Sequence, residues 1–167
     1  EDRSILITGG TVVPMIGRAW LPADVLVIGN RISEVGRGLA VPPGCVRLDA
    51  RDALVLPGFV QTHVHVVQSL ARHRAEGRSL PQWLRERIWP YEAALSADEV
   101  DTAARLGIGE LLCGGTTSAL DMGTTHSQDV IFEAAADMGI RLTSGKAMMD
   151  VGDGVPAALK EDTRRSL

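Results

Sequence analysis

The hydrophobic period changes part-way along the chain. Up to about residue 56, apolar positions fall in short β-branched runs separated by turn residues, the pattern of strands without intervening helices. Ser4–Thr8 (SILIT) stops at Gly9-Gly10. Val25–Ile28 and Arg31–Val35 flank Gly29-Asn30, a two-residue loop suited to positive φ, which predicts a hairpin. Val46–Leu48 and Leu54–Leu56 bracket a polar turn at 49–52, and Pro42-Pro43-Gly44 is a loop. Several short strands in succession predict a small β-sandwich or partial barrel.

Beyond that point helical spacing appears. Phe59–Val67 (FVQTHVHVV) is an extended apolar run. Leu80–Ala94 carries Trp83, Leu84, Arg87 and Ile88 at helical spacing, with Pro90 near its end. Ser96-Ala97-Asp98-Glu99 predicts a capping box, opening a helix that stops at Gly114-Gly115. Thr116–Met122 is a strand, Gln128–Met138 a helix ending at Gly139, and Ile140–Ser144 a further strand. Strand, long crossover, strand, helix, strand is the rhythm of a parallel α/β sheet. The last stretch, Val151–Leu167, is polar and ends on what reads as the first turns of a helix, so the chain is expected to be a piece of a longer protein.

Composition narrows the function. The chain has 167 residues, 45% hydrophobic and 23% charged, which is globular rather than disordered. Its net charge of −4 argues against nucleic acid or an anionic membrane as partner, since both are held by clustered Lys and Arg. No apolar run approaches the roughly 18–20 residues that span a bilayer. Two distant cysteines, Cys45 and Cys113, argue against a disulfide scaffold and point to a reducing, cytoplasmic setting.

His63-Val64-His65 is the sharpest chemical signal. On a strand, residues two apart share a face, about 6.5–7 Å apart in Cα position, so two imidazoles can converge on one divalent cation. A half-buried strand can also hold such a pair without metal. Imidazole suits zinc or iron, and a catalytic site wants at least three protein ligands, so two histidines are not a full site. No Walker, Rossmann or GxSxG pattern is present.

Around this pair the sequence resembles the amidohydrolase superfamily, in its nucleobase and nucleoside deaminase and chlorohydrolase branch. The resemblance is carried by LVLPGFVQTHVH (54–65), LPQWLRERIWPYE (80–92), LGIGELLCGGTTSALDM (106–122) and GIRLTSGKAMMD (139–150). It covers nearly the whole chain. It is closest to deaminases of 5′-deoxyadenosine, methylthioadenosine and S-adenosylhomocysteine, with guanine deaminases and triazine hydrolases near.

The resemblance implies an α/β fold in two parts. Residues 1–56 would be the N-terminal part of a composite β-sandwich, and residues 57–167 the first three strands or so of a metal-dependent (β/α)8 barrel, whose chemistry lies at the C-terminal strand ends. It implies His63 and His65 as ligands of one divalent metal, zinc or else iron. The remaining ligands and the proton-transfer residues are expected beyond residue 167. The implied reaction is hydrolytic deamination of an adenine nucleoside by metal-activated water. Guanine deamination, triazine dechlorination and a truncated relative without chemistry are the alternatives. The implied partner is a small purine-like substrate, and the full-length protein is expected to be a homo-oligomer.

Four residues are implied as substrate contacts. Trp83 would stack on the base and Glu92 would accept hydrogen bonds from ribose hydroxyls; otherwise Trp83 and Trp89 are a helix's apolar face with Glu92 solvated. His126, in the loop after the second strand, would face the pocket or else be a polar residue at a helix start. Lys146, closing the third strand, would donate to a substrate hydroxyl or pair with Asp150 or Asp121. Gln68 and Arg72 are further candidates at the mouth. The loop 72–80 (RHRAEGRSL) departs from the family's RGxADDL pattern and is more basic, which leaves substrate identity open.

Overall fold

Gly29 takes φ +58°, as the hairpin loop requires, and joins β4 (Asp24–Ile28) to β5 (Arg31–Gly36). A computed structural model describes residues 3–17, 19–74 and 76–167. Within them a mixed α/β chain divides into two compact units, 1–57 and 58–167.

In the first unit β1 (Ser4–Thr8) lies between β4, antiparallel to it, and β6 (Val46–Asp49), parallel to it, giving a four-stranded sheet in the order β5-β4-β1-β6. A second sheet has the order β3-β2-β7, from β2 (Thr11–Val12), β3 (Leu21–Pro22) and β7 (Leu54–Val55). The two runs flanking the 49–52 turn therefore belong to different sheets. Two stretches step from sheet to sheet side by side, Gly9-Gly10 and residues 50–53. They are tied by Ala50 N–H to Thr8 O at 2.8 Å and Thr11 N–H to Ala53 O at 3.0 Å. One buried cluster of this unit is Val12, Ala23 and Val25, with Ile7, Val27 and Val55 packed on it, and Leu6, Val13 and Leu26 are buried as well.

The second unit is built on three parallel strands in the order β10-β9-β8: β8 (Phe59–Val64), β9 (Thr116–Asp121) and β10 (Arg141–Ser144). Helices α3 (Ala97–Cys113) and α4 (Gln128–Met138) form the crossovers and cover one face. Val100, Ala104 and Ile108 of α3 meet Ile131 and Ala134 of α4 and Ala119 of β9, all essentially buried. Each fully buried large aliphatic side chain contributes about 1.5–3 kcal/mol. The small residues Ala103, Ala104 and Gly107 let α3 lie close to the chain beneath it. The capping box at its start forms as expected: Glu99 N–H donates to Ser96 Oγ at 3.3 Å and Ser96 N–H to Glu99 Oε2 at 2.8 Å.

One expectation is revised. The extended run does not continue to Val67: β8 ends at Val64, and Val66–Ala71 winds into a 3₁₀ turn. The cause is tertiary, because Val66 N–H finds its acceptor on β9 (below). The helix over 80–94 forms with the expected bounds and carries a π-helical turn at Leu84–Ile88 between α1 (Leu80–Trp83) and α2 (Trp89–Ala94). Pro90 has no N–H, so the ladder cannot run unbroken into it. Trp89 N–H instead reaches back five residues to Leu84 O. The closing stretch holds only a 3₁₀ turn at Ala157–Leu159 and the short α5 (Thr163–Ser166), capped by Asp162.

Candidate metal and substrate site

The site is assembled at the C-terminal ends of the parallel strands. His63 lies near the end of β8, where the register with β9 shifts between Gln61 and Val64. Such an irregularity re-aims side chains at a sheet rim. His65 follows the strand and caps the 3₁₀ turn, at φ −125° and ψ 88°. The two imidazole rings stand edge to face with centroids 5.1 Å apart. His63 is exposed and His65 half-buried. Burial holds the His65 pKa below the ordinary imidazole range; His63 adds to the depression and the Asp121 charge opposes it. A neutral His65 at pH 7 keeps a nitrogen lone pair available to a cation.

Gln68 joins this pair to Glu92. Its amide nitrogen lies 2.9 Å from Glu92 Oε1 and 3.3 Å from His65 Nδ1. The spacing of three residues within one 3₁₀ turn brings Gln68 under His65. Glu92, in α2, is buried rather than solvated. Burial pushes its carboxyl above the ordinary range, the Gln68 hydrogen bond opposes that, and the Asp121 charge adds to it. Trp83 is half-buried and lines a cavity of about 390 Å³ together with Gln68, Arg72 and His73. A second hollow of about 480 Å³ is lined by His63 and His65, which the Trp83 cavity is not, and it runs beside β8 down to Gly114 and Thr116 at the start of β9. It is a slot along the strand edge, and Gln68 and Arg72 line both hollows.

The other two candidates make no hydrogen bond to His63 or His65. His126 is half-buried in the loop after β9, and its Nδ1 has no hydrogen-bond partner. The hydroxyls of Thr124 and Thr125 beside it are also buried without partners. Lys146 pairs with Glu161, whose carboxylate also accepts from Ser166 Oγ at 2.7 Å. The pairing with Asp150 or Asp121 does not form: Asp150 accepts from Thr163 Oγ1 and Asp121 is enclosed by other donors. Glu161 lies 15 residues further along, too far for sequence spacing to reveal it.

One residue of the site was missed from sequence. Asp121, the last residue of β9, is 3% exposed. Its Oδ1 accepts from Val66 N–H at 2.9 Å; its Oδ2 accepts from Gly123 N–H at 2.9 Å and from Ser144 Oγ at 2.6 Å. An acidic residue on the same strand face as buried Ala119 was the available signal, since such a carboxylate must find donors. Gly123 is fixed by the same geometry. It takes φ +72°, and a Cβ there would meet Gly145 O at 1.8 Å.

The donor set fits part of a metal site. Two imidazole rings 5.1 Å apart fit two positions around one divalent ion, and among the described residues no cluster of three or more His, Cys, Asp or Glu side chains is placed to complete the shell.

The sequence profile of the amidohydrolase family matches residues 54–167, about two thirds of the chain and all of its parallel sheet. The chain belongs to the amidohydrolase family. This amidohydrolase chain is 38% identical over 165 residues to a 5-methylthioadenosine/S-adenosylhomocysteine deaminase of Symbiobacterium thermophilum, covering 96% of this chain and 37% of the relative. It is 34% identical to a 5′-deoxyadenosine deaminase of Methanothermobacter thermautotrophicus, covering 98% and 38%. Among solved structures it is similar to atrazine chlorohydrolase of Arthrobacter aurescens complexed with zinc, at a TM-score of 0.81 and 28% identity over 97% of this chain and 40% of that one. The amidohydrolase chain thus spans under half the length of each. Among the described residues no helix is long and apolar enough to cross a membrane.

Proposed function

We propose that this chain forms the first part of a metal-dependent aminohydrolase that deaminates an adenine nucleoside of the 5′-deoxyadenosine, methylthioadenosine or S-adenosylhomocysteine type. Residues 1–56 belong to a composite β-sandwich and residues 57–167 begin a (β/α)8 barrel, with the rest of the site on later strands. The observation that carries the reading is the His63–His65 pair at the end of β8, joined through Gln68 to the buried Glu92, with Gln68 and Trp83 lining one cavity. The names and identities of the two deaminases support the substrate class.

His63 and His65 would hold one divalent ion, zinc by the chemistry of the donors and by the zinc in the atrazine chlorohydrolase structure. Such an ion would supply Lewis acidity and bring the pKa of bound water down toward neutrality. Trp83 presents an aromatic face to the purine. Glu92 accepts from ribose hydroxyls, and Gln68 holds it for that task. His126 and Lys146 contact substrate from the loops after β9 and β10. In the net reaction water is consumed, a carbon–oxygen bond forms at the ring carbon and the carbon–nitrogen bond breaks, releasing ammonia.

The likeness to a chlorohydrolase favours triazine dechlorination as a second reading. Ammonia and chloride release by the whole protein from a panel of adenine nucleosides, guanine and chlorotriazines separates them. Ammonia from an adenine nucleoside is expected. No turnover of any adenine nucleoside rejects the first reading, and chloride release adopts the second.

A further inference from the structure

We infer that Asp121 is a positioning residue for the metal site, acting on His65 through the Val66 amide. The inference rests on the proposed role of His65 as a metal ligand. The peptide groups on both sides of His65 are tied to the end of β9: Val64 O accepts from Met122 N–H at 2.9 Å and Val66 N–H donates to Asp121 Oδ1 at 2.9 Å. Between those two bonds the backbone must turn from strand to 3₁₀ helix, and His65 is the residue that turns. Its ring direction follows from where Val66 N–H is held.

The carboxylate is itself held in place. Its other oxygen accepts from Gly123 N–H and from Ser144 Oγ on β10; Gln128 Nε2 donates to Ser144 Oγ at 2.8 Å, and Gln128 Oε1 accepts from Thr124 N–H at 3.1 Å. One side chain therefore ties the C-terminal ends of β8, β9 and β10 together, without any Lys or Arg partner among the described residues. A carboxylate is acceptor-only at both oxygens and suits three converging donors; an amide is not, since its NH₂ must face either Val66 N–H or Gly123 N–H. A polar partner that orients a ligand is commonly worth about 10–100-fold in metal affinity.

The test is zinc affinity of the whole protein by chelator competition, with the visible spectrum of the cobalt-substituted protein as report on ligand geometry. Asp121→Asn is expected to weaken zinc about 10–100-fold and to alter the cobalt spectrum. Ser144→Ala leaves Val66 its acceptor, and zinc is expected to stay within about threefold, since only one hydrogen bond to the carboxylate is lost. Unchanged zinc and spectrum in Asp121→Asn, with weakened zinc in His65→Ala, overturn this inference alone. Unchanged zinc in His65→Ala overturns the metal reading and this inference with it. Should Asp121→Asn fail to fold, hydrogen exchange of the unaltered protein decides. The Val66 amide is expected to exchange as slowly as the amides of Ala119 and Leu120, and exchange at the rate of an exposed loop overturns the inference.

Discussion

Gly107 and Gly109 sit two residues apart in α3, and alanine at the two positions is expected to act with opposite sign. Helix propensity alone favours alanine at both by about 0.8–1 kcal/mol. At Gly109 the nearest atom to an added Cβ is Met138 Cε at 3.5 Å, an ordinary contact. At Gly107 the Cβ would meet Ser69 Oγ at 2.4 Å and Val66 O at 2.9 Å. Neither neighbour can easily give way. Val66 O is backbone, and Ser69 Oγ is pinned to it by a 2.7 Å hydrogen bond. Overpacking of this kind costs about 1–3 kcal/mol and often more than the propensity gain. Because backbone must move at this site, the upper part of that range applies, for a net loss of about 1–2 kcal/mol. In thermal unfolding, Gly107→Ala should lower Tm by about 2–8 °C and Gly109→Ala should raise it by about 1–4 °C. The turn that α3 presses on carries His65 and Gln68, so Gly107→Ala should also weaken zinc. A Gly107→Ala protein as stable as the original refutes the close approach of α3 to the 66–71 turn.

Further outcomes follow from the same geometry. Glu92 has its carboxyl pKa raised by burial, so the stability it contributes is fully present below the ordinary carboxyl pKa and is lost as pH rises through the raised one. Glu92→Gln should therefore gain in Tm relative to the original protein between pH 4 and 7, and a difference that stays constant over that range contradicts the raised pKa. Metal analysis after dialysis should find His65→Ala stripped of most zinc and nearly all turnover, with His126→Ala keeping its metal. Trp83→Ala should raise KM for the nucleoside more than it lowers kcat, and steady-state kinetics on ammonia release decide that. Ser96→Ala removes the α3 cap and should cost about 1 kcal/mol of stability, read from denaturant midpoints.

Much of this was legible along the chain because it is local. The Gly29-Asn30 hairpin, the Ser96–Glu99 capping box and the helix end at Gly114 depend on residues within a few positions of each other, where propensity and spacing act. The closeness of His63 and His65 was legible from their separation of two residues, though His65 lies just past the strand, and the family from contiguous motifs. The rest depended on distant partners. The end of β8 at Val64 is decided by a carboxylate 55 positions from Val66, the burial of Glu92 by Gln68, 24 positions away, and the pairing of Lys146 by Glu161. A buried carboxylate is tolerated only where the fold brings donors to it, and no spacing rule says which donors those will be. The residues that present the histidines were readable in the sequence; the hydrogen bonds that aim them were decided by three strand ends meeting in space.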